Sequence, residues 1–131
     1  MGAALLLGNQ ASINKDDIFG TWLTQDQDGK FEIYERDGKF FGKLVWGKNP
    51  NKLDENNPNP KLRNRKLVGS EILTEFIFDN GEWVDGKIYD PRDGDTYSCN
   101  MWLEDLNTLK IRGYVGISLF GKTVTWTRFK E

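Results

Sequence analysis

The 131-residue chain contains no histidine. That absence excludes Ser-His-Asp and Cys-His nucleophilic sites and removes both the commonest metal ligand and the usual general base near neutral pH. It also removes the usual proximal ligand of a haem-binding barrel. A single cysteine, Cys99, excludes an internal disulfide and a thiolate zinc site. Set among residues 98–102, it reads as a small buried hydrophobe rather than a reactive thiol. Charge of one sign is not in excess: 18 basic against 20 acidic residues leave a net charge of −2. Nothing in that balance calls for nucleic acid or an anionic membrane as a partner. The composition, 37% hydrophobic and 29% charged, is too apolar for a disordered chain and too polar for a membrane span. We therefore nominate no catalytic residue, metal ligand or cofactor, and expect a binding or interaction protein rather than an enzyme. Oligomeric state leaves no mark on the sequence.

The chain opens on an apolar run, Leu5-Leu6-Leu7, followed by small and polar residues up to Ser12. The run is too short to cross a bilayer and has no basic residue before it, but it looks like the tail of a signal peptide. The expected division is an N-terminal arm or signal-peptide remnant over residues 1–15 and one domain over 16–131, in the periplasm or secreted.

What is present is a rhythm of short strands. Asx-Gly pairs at Asp28-Gly29, Asp37-Gly38, Asn80-Gly81 and Asp93-Gly94 signal hairpin turns, because both residue types tolerate positive φ. Between them, β-branched and aromatic residues recur at period two. Phe40, Gly42, Leu44 and Trp46 share one face; so do Tyr97, Cys99, Met101 and Leu103, and Leu109, Ile111, Gly113 and Val115. The pattern predicts strands near 19–25, 30–36, 39–46, 70–78, 82–89, 95–103, 108–115 and 123–129, with a helical turn capped by Asn14 or Asp16 before the first. Such a meander predicts an all-β, eight-stranded, up-and-down antiparallel β-barrel, which leaves no exposed edge; an open sandwich is the rival.

Residues 47–66 break the rhythm with Pro50, Pro58 and Pro60 among asparagines, which excludes a ladder strand. So long a loop in a small domain points to function. It is expected to lie across the barrel end opposite Trp22, as a lid with Arg63 or Arg65 turned toward the opening. The two arginines would then grip an acidic ligand, with Asp54, Asn56 and Asn57 beside them. The competing expectation is that these residues only pin the loop.

Two resemblances follow. Gly20-Thr21-Trp22 is similar to the Gly-x-Trp signature of lipocalins, and Trp126-Thr127-Arg128 supplies the arginine that in that fold lies over the tryptophan. Gly20, Trp22, Trp126 and Arg128 are thus implied to close the base of the barrel. More extensively, the chain resembles a bacterial exported family, domain of unknown function twenty-one forty-seven, from about Ile18 to Phe129. The matching stretches are Gly20-Thr21-Trp22, Asp54-x-Asn56-Asn57-Pro58, Leu62-Arg63-x-Arg65, Ile88-Tyr89-Asp90-Pro91, Thr96-Tyr97, Arg112-Gly113-Tyr114-x-Gly116 and Thr125-Trp126-Thr127-Arg128. The resemblance implies a lipocalin-like fold and an exported protein, without a reaction.

The aromatic content, five Trp, four Tyr and eight Phe, either lines a cavity or fills the barrel solid. With a cavity, the expected ligand is small and apolar or amphipathic, contacted by Asp54, Asn56, Asn57, Arg63, Arg65, Tyr89, Tyr97, Arg112 and Tyr114. With a solid core, the chain is an envelope interaction module. Residues 89–97 carry acidic groups but lack the alternating ligand pattern of a calcium loop, and read as a hairpin turn.

Overall fold

The computed structural model describes residues 12–114 and 122–130. The apolar run before Ser12, and Val115 and Gly116, lie outside the described residues. Eight strands form in chain order: β1 (Gly20–Leu23), β2 (Gly29–Arg36), β3 (Lys39–Gly47), β4 (Glu71–Asp79), β5 (Glu82–Asp90), β6 (Asp95–Asp105), β7 (Thr108–Tyr114) and β8 (Lys122–Arg128). Each pairs antiparallel with the next, and β1 pairs with β8 to close the barrel. A tight helical turn, Lys15–Ile18, precedes β1; Asn14 and Asp17 cap it reciprocally. Among the described residues, no helix is long and apolar enough to cross a membrane.

The turns show why the chain folds back where it does. At Asp37-Gly38 and Asn80-Gly81 both residues have positive φ, the geometry that matches the twist of a two-residue hairpin. The Asp28-Gly29 expectation needs correction. The positive φ falls on Gln27, and Gly29 already belongs to β2. Here Thr24 organises the turn: its hydroxyl donates to Asp28 Oδ1 and accepts from the Asp28 and Gly29 amides. The β6–β7 turn at residues 106–107 carries no Asx-Gly pair and escaped that signal.

Antiparallel order sorts the connections between two ends. The 37–38, 80–81 and 106–107 turns gather with the Lys15–Ile18 turn at one end. The 24–28 loop, residues 48–70 and the 91–94 turn gather at the other. The first end is packed solid. Ile18, Trp22, Phe40, Phe76 and Trp83 are fully or almost fully buried, as period-two patterning requires. Cys99, 1% exposed, is one of this core, and burial pushes its thiol up to about 12, which keeps it a neutral packing group.

Candidate ligand-binding site

Among the described residues, core side chains do not fill the opposite end. A cavity of about 520 Å³ opens there, walled by Phe31, Leu44, Ile88, Ile111 and Val124. Asp26, Asp28, Asp90, Arg92 and Lys122 stand among its lining as the charged residues. Glycines at 29 and 113 keep the backbone bare on its wall. Tyr89 and Tyr97 complete the lining, and each has its hydroxyl tied down. Tyr89 donates to Asp54 Oδ1 at 2.6 Å, and burial together with that carboxylate raises its phenol to about 12. Tyr97 donates to Asp93, and this bond with partial burial likewise raises its phenol to about 12. Both phenols are therefore neutral at physiological pH, and their donor protons are already spent.

The loop over residues 47–66 sits at this end, but not as expected. None of its residues lines the cavity. Arg65 Nε donates to Asp54 Oδ2 at 2.9 Å, and Arg63 Nε to the Asn57 carbonyl at 2.7 Å, so both arginines turn into the loop. The lid expectation is replaced by a pinning one. Asp54 has no solvent exposure, and Tyr89, Asn57 and Arg65 all donate to its carboxylate. Burial opposes that charge, yet the three hydrogen bonds outweigh it and hold the Asp54 carboxyl below its ordinary range. Asn56 reaches across to the rim, donating to the carbonyls of Pro91 and Arg92. The loop thus buttresses from outside the turn whose residues face the cavity.

Of the sequence-nominated site residues, then, the structure brings Tyr89 and Tyr97 to the cavity and places Asp54, Asn56, Asn57, Arg63 and Arg65 behind its rim. Arg112 and Tyr114 stand apart from the cavity lining. The Arg112 guanidinium lies 5.2 Å from the Tyr114 ring and donates to Thr123 across the β7–β8 pair. Asp90, in the acidic stretch, accepts both Nε and Nη2 of Arg92, and Asp93 caps the turn through the Asp95 amide. The rim residues Asp26, Asp28, Arg92 and Lys122 were missed. They come from the 24–28 loop, the 91–94 turn and the start of β8, and the available signal was strand parity, which assigns these to one end.

At the solid end, Arg128 lies over Trp22, its guanidinium carbon 4.3 Å from the ring centroid. It also donates to the carbonyls of Leu106, Phe19 and Asp17. Gly20, at φ +124°, leaves the space that this guanidinium occupies: an added Cβ would stand 2.9 Å from Nη1. Trp22 Nε1 donates to the Ile18 carbonyl, and Trp126 stacks on Phe31 at 4.5 Å.

The sequence pattern of the family described as "Uncharacterized protein conserved in bacteria (DUF2147)" matches residues 20–128. No curated protein matches the chain. Among solved structures, protein HP1028 from the human pathogen Helicobacter pylori, described as belonging to the lipocalin family, is similar at 30% identity with a TM-score of 0.77. The match covers 87% of this chain and 84% of that one.

Proposed function

The chain belongs to the DUF2147 family of uncharacterised bacterial proteins, and we propose that it carries or senses a small apolar or amphipathic molecule held in the open end of its barrel. The observation that supports this reading is the cavity of about 520 Å³ with apolar walls and a polar rim. It falls within the roughly 300–1,000 Å³ of small-molecule pockets. The lipocalin description of the similar Helicobacter pylori protein supports the same reading. A cavity of this size weighs against the solid-core interaction module. Export to the periplasm or beyond belongs to the proposal, supported by Leu5-Leu6-Leu7 and the small residues after it; fractionation of cells expressing the full chain decides it.

Filling the cavity tests the proposal. A Cβ added at Gly113 meets nothing nearer than Ile88 Cγ2 at 3.4 Å, so a large side chain has room to start there. Gly113→Phe is expected to abolish enhancement of the fluorescence of phenylnaphthylamine, a neutral apolar probe, while leaving the far-ultraviolet circular dichroism unchanged. Full probe binding by a folded Gly113→Phe variant would overturn the assignment of the cavity as the binding site.

A further inference from the structure

We propose that the cavity selects an amphiphile with a cationic head, an amine or quaternary ammonium on an apolar tail, over one with a carboxylate head. The inference rests on the cavity reading above and adds the sign of the head group. Three carboxylates, Asp26, Asp28 and Asp90, line the cavity against two cations, Arg92 and Lys122. Asp93 and Asp95 belong to the adjoining turn and strand start, and their negative charge is felt at Tyr97 on the cavity wall. Residues 115–121, between β7 and β8 in the chain, carry no charged side chain to offset this.

Of the two cations at the mouth, Arg92 is already engaged. Both Nε and Nη2 of Arg92 are engaged by Asp90 at 3.0 and 2.8 Å, so an entering carboxylate would have to compete with an ion pair already made. Lys122, the other cation, makes no ion pair with any described residue, but its charge is offset by that of Asp90 nearby. Asp26 also makes no ion pair with any described residue, and the Asp28 carboxylate is met by the neutral Thr24 hydroxyl. The two tyrosines add to the same preference. Their O–H protons are given to Asp54 and Asp93, so neither phenol is left to donate to a carboxylate head. Their π faces remain able to attract a cation. An ammonium head at the mouth, its tail against Phe31, Leu44, Ile111 and Val124, matches polar rim to head and apolar wall to tail.

The test titrates the full chain with decyltrimethylammonium and decanoate, each below its micelle concentration, and with decanol below its solubility limit, displacing phenylnaphthylamine. The ammonium is expected to bind about tenfold more tightly than decanoate at low salt, with the gap shrinking as salt screens the rim. Asp26→Lys, at an exposed position, should reduce or reverse the preference of the ammonium over decanoate. Decanoate binding as tightly as the ammonium, or an Asp26→Lys variant with the same preference, would overturn the inference and leave the cavity reading standing. Failure of all three to displace the probe would overturn both.

Discussion

Asp54 ties the long loop to the barrel at the open end, because its carboxylate gathers three donors from two segments. Asn57 and Arg65 come from its own loop, and Tyr89 comes from β5. Since the folded chain holds the Asp54 carboxyl below its ordinary value, it binds that proton less readily than the unfolded chain does. The stability this confers is fully present above the unfolded carboxylate value of about 3.9. It is lost as pH falls through the lower folded value. Glu71, held down by Arg36, and Asp90, held down by Arg92, act in the same direction. Asp54→Asn is expected to lower stability at pH 7 by about 2–3 kcal/mol, since Arg65 and Tyr89 lose an anionic acceptor. It should also flatten the loss of urea resistance as pH falls below about 4, both relative to the native chain. An Asp54→Asn variant with the native chain's full acid sensitivity would refute this role. The sequence shows Asp54, Asn57 and Arg65 as a constellation because they lie close along the chain. It conceals the Tyr89 bond, which spans 35 residues and exists only once β5 stands beside the loop.

At the scale of elements, the strands were legible and the rim was not. Period-two runs between turn signals locate all eight strands to within a few residues. This works because one buried face forces alternation on each strand. The long loop was legible as irregular from its prolines, but its placement depends on contacts with the 91–94 turn that no local pattern encodes. Gly94 records that contact. Its φ is +77°, close to the +79° of Gly38 in the β2–β3 turn, yet the surroundings differ. A Cβ at Gly94 would fall 2.0 Å from the Asn56 carbonyl oxygen, whereas one at Gly38 meets nothing within 4 Å. Gly38→Ala should therefore cost only the backbone term, about 1 kcal/mol. Gly94→Ala adds a clash with backbone, and should cost at least about 2 kcal/mol more. It should also weaken phenylnaphthylamine binding, because loop and rim must part. Equal urea midpoints for the two variants would show that the loop does not brace the turn.

The whole molecule is a closed sheet whose weakest join is the one that closes it. From β1 to β8 each strand pairs with its chain neighbour, but β1 and β8 meet across nearly the full length of the domain. Their register is short, Trp22 with Arg128 and Leu23 with Thr127, whereas β5 and β6 run in register from Gly86–Cys99 to Asp90–Asp95. Joining distant strands carries the larger loop-closure entropy, and a short ladder returns fewer bonds against it. Arg128 supplements that seam. It adds the stack on Trp22 and hydrogen bonds to Leu106, Phe19 and Asp17, tying β8 to the 106–107 turn and to the segment before β1. Removing it should cost about 2–4 kcal/mol, from the cation–π contact and three carbonyls left without their charged donor. Because the seam at Trp22 lies at the end away from the cavity, Arg128→Ala should lower the urea midpoint and leave phenylnaphthylamine affinity nearly unchanged. In the native chain, the Phe129 amide, which bonds the Thr21 carbonyl across the seam, should exchange with deuterium faster than the paired amides of residues 86–90. Sub-global opening at the closure then precedes global unfolding. Uniform exchange across both pairs, or a parallel loss of probe affinity in Arg128→Ala, would show that the barrel opens as one unit and that its two ends are not separable.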